Sequence, residues 1–218
     1  MDTTTLMLIY LVAGLAGGRL PFIRVYLAHC HNLVSTIISV GLEGGMSNKI
    51  LLQRDGTGQT TGSLISPLKK ALISYAGYTG ASAVAIGMFY FVSRGHYHLV
   101  IYLFLGLSIL ALLLWIRSLF GVIWGLSLVA LLALPLFFQN EMILVHLSIF
   151  LAAILFTQSI ICAIQVCKQV FMSRNNPARK AALVQTKFIP AVILGLALFC
   201  QTIYAGYFFV QHFIGLPF

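Results

Sequence analysis

The sequence predicts an all-α polytopic membrane protein of about seven transmembrane helices, with a short β-hairpin-like polar loop after the second. Three observations predict it. Of 218 residues, 60% are hydrophobic and only 8% are charged, and the mean hydropathy is +1.00. Soluble domains carry roughly 25% charged residues, so a water-facing surface cannot be built from this material. The apolar residues fall into helix-length runs of roughly 20 residues, the length a bilayer core requires. Finally, the basic residues segregate to one side when successive spans alternate. Residues 1–218 read as one transmembrane domain with no soluble domain attached.

The spans are expected at about 4–18, 22–42, 68–93, 97–116, 119–138, 143–171 and 188–213. The first run has Asp2 as the only charge ahead of it and no basic segment, so it reads as a retained span. Gly17-Gly18-Arg19 breaks it, and Pro21 suits the first turn of the second helix. That helix stops at Gly44-Gly45. The polar loop 46–67 follows, with Lys49–Gln53 as one strand, Asp55-Gly56-Thr57-Gly58 as turn chemistry and Gln59-Thr60-Thr61 as the return. The third span carries Gly77, Ala81 and Ala85 four residues apart, a row of small side chains that lets another helix approach closely. Arg94-Gly95-His96, Arg117-Ser118 and Gln139-Asn140-Glu141 turn the chain between the next spans, and a basic loop, 168–187, precedes the last.

If that basic loop is cytoplasmic, alternation places Lys49, Arg54, Lys69, Lys70, Arg117, Lys168, Arg174, Arg179, Lys180 and Lys187 inside, and only Arg19 and Arg94 outside. Ten against two is a strong positive-inside bias. It predicts a multi-pass protein of the cell membrane with its N-terminus in the cytoplasm and its C-terminus outside. The net charge of +9 is thus read as topology and not as nucleic-acid binding. The partners expected are the lipid bilayer and a membrane protein or transmembrane peptide segment. Arg174, Arg179 and Lys180 would meet anionic lipid or a docking partner.

Polar groups inside a membrane are expensive and mark functional positions. The second span holds His29, His31, Asn32, Ser35, Thr36 and Ser39. His29 and His31 are the sharpest metal candidates, but two residues on a helix point about 200° apart, so a regular helix cannot close both on one ion. Ser35 lies four residues from His31 on the same face, an arrangement of nucleophile and base without a third group to orient the imidazole. Glu43 and Asp55 are carboxylates near this stretch, and their places fit a helix end and an Asp-Gly turn. His96, His98, His146 and His212 are all expected on the outer side. The four cysteines, at 30, 162, 167 and 200, lie in apolar runs without disulfide spacing.

The order of several short segments resembles the site-2 protease family of intramembrane zinc metallopeptidases, in its small bacterial branch. These are Gly44-Gly45, Lys49-Ile50, Asp55-Gly56-Thr57-Gly58-Gln59-Thr60, Ala76-Gly77-Tyr78-Thr79-Gly80, Arg117-Ser118-Leu119-Phe120-Gly121 and Thr186-Lys187-Phe188-Ile189-Pro190-Ala191. The resemblance covers about residues 20–210. It implies a helix carrying H-E-x-x-H, two zinc-binding His on one face and a Glu as general base. That motif is missing. One register sets His31-Asn32-Leu33-Val34-Ser35 on it, keeping the first His; another sets Ser35-Thr36-Ile37-Ile38-Ser39 on it, keeping nothing. The family's distal Asp ligand would fall in Ser173–Ala178, where the chain has Asn175 and Asn176 and no carboxylate. Asn carries neither the charge for zinc nor a proton-accepting carboxylate.

The resemblance therefore implies the fold, with a catalytically degenerate site that binds a membrane segment, lipid or partner. No cofactor is expected on this reading. The alternatives are an active metallopeptidase with an atypical zinc site using His29 and His31, and a small transporter or transporter accessory subunit. The strand-like Ile50, Leu51 and Leu52, with Asp55, Gly56 and Gly58, would hold a peptide or partner by edge pairing.

Overall fold

The computed structural model describes residues 3–43, 49–52, 58–61, 66–172 and 188–214. Seven α-helices and one hairpin run in the order α1 (Thr3–Gly17), α2 (Pro21–Glu43), β1 (Lys49–Leu52), β2 (Gly58–Thr61), α3 (Pro67–Ser93), α4 (Tyr97–Leu114), α5 (Leu119–Phe137), α6 (Glu141–Met172) and α7 (Phe188–Phe209). A π-helical stretch, Val210–Ile214, continues α7. Six of these helices are long and apolar enough to cross a membrane. The exception is α1, whose 15 residues reach about 22 Å at 1.5 Å per residue, short of a roughly 30 Å hydrocarbon core. The all-α polytopic architecture thus stands, with one span short.

The long helix α6 is the hub, packed on α1, α2, α3, α4, α5 and α7. Its interior stretch Ile149–Ser159 is buried throughout except at Phe150. Residue pairs across the interfaces fix the direction of each helix. Tyr10 meets His146 and Phe150, Gly14 faces Thr157 and Gly18 faces Ile161, so α1 runs parallel to α6. Ser39 bonds the Ile73 carbonyl, Ser35 lies against Gly77 and His31 stacks on Tyr78, so α2 is antiparallel to α3. Tyr78 pairs with Cys162 and Phe89 with Phe156, so α3 is in turn antiparallel to α6.

It follows that α1 and α2 run in the same sense. The join is a nearly continuous helical turn, with Gly18 N bonded to Gly14 O, Arg19 N to Ala16 O, Leu20 N to Gly17 O and Arg24 N to Leu20 O. This corrects the expected hairpin between the first two spans. Glycines and a proline break the helix there, but the residues on each side keep travelling in one direction. Gly18 lies beside Ile161, nearer the Met172 end of α6 than its Glu141 start, so Arg19 leaves the side of the 94–96 turn.

The row of small residues in α3 is used internally. Ala81 and Ala85 are fully buried, and a Cβ on Gly77 would meet the Ser35 carbonyl oxygen at 2.6 Å and clash with Ser39 Oγ. The two backbones approach closely because nothing stands between them. Near the far end, Phe89, Phe156, Phe209 and Phe213 form an aromatic cluster that ties α3, α6, α7 and the π-helical stretch.

Candidate functional site

The polar residues of α2 divide between two neighbours. His29 is fully buried and turned to α5, with its ring 5.6 Å from Phe120 and 5.5 Å from Trp124; Tyr26, one turn earlier, also packs on Trp124. His31 is 2% exposed and turned to α3, lying nearly parallel to Tyr78 with 6.1 Å between ring centroids. The two histidines therefore face different helices, as their spacing dictates. Ser35 is buried against Gly77, and half-buried Ser39 donates to the Ile73 carbonyl at 3.3 Å. Thr36 and Asn32 are half-buried on α2. Asn176, Asp55 and Gly56 lie outside the described residues, as does the basic loop at 173–187.

The donor set on α2 does not fit a zinc ion of the H-E-x-x-H kind. Two His must share one face four residues apart, and here the fourth residue after His31 is Ser35 while His29 is aimed at α5. Among the described residues, no three His, Cys, Asp or Glu side chains come together. Three further histidines are also dispersed: His98 pairs with Glu141 at 3.5 Å, His146 with the Tyr10 hydroxyl at 2.8 Å, and His212 stacks on Phe208.

The hairpin has the expected register, Lys49 opposite Thr61, Ile50 opposite Thr60, Leu51 opposite Gln59 and Leu52 opposite Gly58. Its second edge was not anticipated. Ile50 N donates to the Trp115 carbonyl at 2.9 Å, Arg117 N donates to the Ile50 carbonyl at 3.3 Å, and Ser118 Oγ bonds both the N–H and the carbonyl of Leu52. Ser118 also caps α5 by accepting from Gly121 N at 3.1 Å. Both faces of the β1 backbone are thus in use, and the Ile50 and Leu52 side chains are fully buried. An added strand has no place on Ile50–Leu52; the remaining edge belongs to β2, which lies against α2. The Arg117–Gly121 segment is therefore a junction, joining β1 by its backbone and His29 through Phe120.

A second polar connection links α3 to α7. The Tyr75 and Thr79 hydroxyls both donate to Gln201 Oε1, at 3.1 and 2.9 Å. Tyr75 and Thr79 lie one turn apart on α3, but nothing in the sequence signals that their partner is Gln201 on α7.

A family model described as Peptidase M50B-like matches residues 10–209. No curated protein and no solved structure matches the chain.

Proposed function

The chain belongs to the Peptidase M50B-like family, and from that premise we propose a non-cleaving member that holds a membrane segment of a partner protein. It is a multi-pass membrane protein in contact with the bilayer, related to intramembrane proteases. The observation that carries the reading is the surrounding of His31. In the register that keeps one His of the family's motif, His31, which lies on Tyr78, is followed by Asn32 in place of the general base and by Ser35 in place of the second His; in the register that starts at Ser35, no residue of the motif is kept. No carboxylate is available on that turn to accept a proton from water. A partner segment in extended form would add to the edge of β2 away from β1, beside α2.

The test is metal content by mass spectrometry on detergent-purified protein, together with incubation against transmembrane peptides. The expected result is far less than one zinc per chain and no cleavage, with the double variant His29→Ala, His31→Ala indistinguishable from wild type. About one zinc per chain, lost in that variant, would restore the active-peptidase reading. That second reading has one observation in its favour: His31 Nε2 is buried and has no hydrogen-bond partner among the described residues.

The orientation we propose puts Lys69, Lys70 and Arg117 in the cytoplasm, following the positive-inside bias. Because α1 and α2 run in one direction, the N-terminus then lies outside, together with the 94–96 and 138–140 turns and the C-terminus. This reverses the N-terminus expected from seven alternating spans. In a cysteine-free background, Thr5→Cys and Gln139→Cys are expected to react with an impermeant maleimide added to intact cells, and Arg117→Cys only after lysis. Protection of Thr5→Cys alongside Arg117→Cys would return the N-terminus to the cytoplasm.

A further inference from the structure

A groove of about 360 Å³ opens between α1 and α6, lined by Tyr10, Met142, Ile143, His146, Leu147 and Phe150. Met142 and Ile143 are exposed at its rim, and its inner wall includes Phe150, the residue at which the buried interior of α6 is interrupted. Four of the six side chains are wholly apolar. The polar atoms belong to Tyr10 and His146, both half-buried, whose hydroxyl and Nδ1 are hydrogen-bonded to each other at 2.8 Å. A neutral imidazole carries one N–H and a tyrosine one O–H. Their mutual bond uses one of these two protons, whichever side donates it. The other, on His146 Nε2 or on the Tyr10 oxygen, is left over, and among the described residues neither side chain has a further hydrogen-bond partner. Hydrocarbon cannot accept that proton, and an unsatisfied donor in a membrane is costly.

The depth of the pair says what can accept it. Glu141 opens α6 beside the polar Gln139-Asn140 turn and pairs with His98 at 3.5 Å, so this end of the helix lies at the water-facing level. His146 follows five residues later, about 8 Å further along the axis at 1.5 Å per residue. The headgroup layer on each side of a bilayer is roughly 5–8 Å thick, so the spare donor lies where headgroups give way to acyl chains. In a glycerolipid that is the level of the ester carbonyls, which accept hydrogen bonds and carry no proton of their own. Leu147 and Phe150 continue the apolar wall beyond it. A mostly apolar hollow of a few hundred Å³ with one placed polar group is the usual form of a small-molecule site. We propose that the groove binds one diacyl glycerolipid, with an ester carbonyl accepting from the Tyr10–His146 pair and the upper part of one acyl chain lying along Leu147 and Phe150. The site uses no residue of the peptidase motif and none of β2, so it does not depend on the loss of cleavage.

Native mass spectrometry of the full chain, in micelles holding equal amounts of dioleoyl phosphatidylcholine and its ether-linked dioleyl counterpart, tests the site. The ether lipid has the same headgroup and chain length but no carbonyl. The first lipid retained is expected to favour the ester form by about 2–12-fold, the worth of one neutral hydrogen bond. Tyr10→Phe or His146→Phe alone still leaves a donor, so the two are combined, and the double variant should retain both lipids equally. Ile143→Trp, which fills the groove from its exposed rim, should abolish the preference as well and decides the matter if the double variant does not fold. Equal retention of the two lipids by the wild type overturns the proposal, and so does a preference that survives either variant. Dimers free of lipid would give the groove to a second copy of the chain and overturn it likewise.

Discussion

Gly77→Val is expected to lower the unfolding temperature of the detergent-solubilised protein by about 2–12 °C. The new Cβ would lie 2.6 Å from the Ser35 carbonyl oxygen, which is backbone and cannot rotate away. The α2–α3 pair would have to separate. Overpacking of this kind costs roughly 1–3 kcal/mol, and each kcal/mol is worth about 2–4 °C in a chain of this size. Separation would also lift His31 from Tyr78 and break the Ser39 bond to the Ile73 carbonyl. Gly87→Val and Gly106→Val are the controls, since a Cβ at either position meets nothing within 4 Å. A Gly77 variant as stable as these controls would mean that α2 and α3 do not pack as described.

The second large effect is expected at Ser118. One hydroxyl caps α5 and bonds both backbone groups of Leu52. Loss of an N-cap costs about 1 kcal/mol, and stranding a buried backbone group costs about 1–3 kcal/mol more. Ser118→Ala should therefore lose about 2–4 kcal/mol and release β1 from the α4–α5 turn. Hydrogen exchange reads this locally: the amides of Ile50 and Leu52 should lose protection together, while those of the α6 interior keep theirs. Ser118→Thr, which retains the hydroxyl, should restore much of the protection. Equal protection in Ser118→Ala and wild type would show that the hairpin is held by β2 alone.

Much of this arrangement was legible before any coordinates. Hydropathy located α3 to α7 within a few residues, because a lipid-facing helix must be apolar over its whole length. Asp55-Gly56 flanked by extended residues announced the hairpin, and the two-residue spacing of His29 and His31 required them to face different neighbours. The direction of α1 relative to α2 was not legible. Gly17-Gly18-Arg19 and Pro21 are what a tight reversal would use, yet they also suit a bend, and only contacts with α6 distinguish the two. The pairing of β1 with the α4–α5 turn was hidden for a similar reason. Ile50 and Trp115 share no periodic pattern, and Arg117-Ser118 read as a turn between spans and a basic position, neither of which places it beside β1.

The attachment of β1 to residues 115–118 has a consequence for how the protein is made. Leu52 and Ser118 are 66 residues apart in the chain. At about 5–20 residues per second of synthesis, the strand waits roughly 3–13 s after it emerges before its second partner exists. During that interval two further spans enter the membrane while β1 has only β2 to pair with, and an isolated two-stranded hairpin is marginal in water. The strand is completed late, when the turn between α4 and α5 arrives on the same side of the bilayer and closes over it. Any factor that recognises an unpaired strand has its opportunity on the ribosome-bound chain and loses it once that turn is in place.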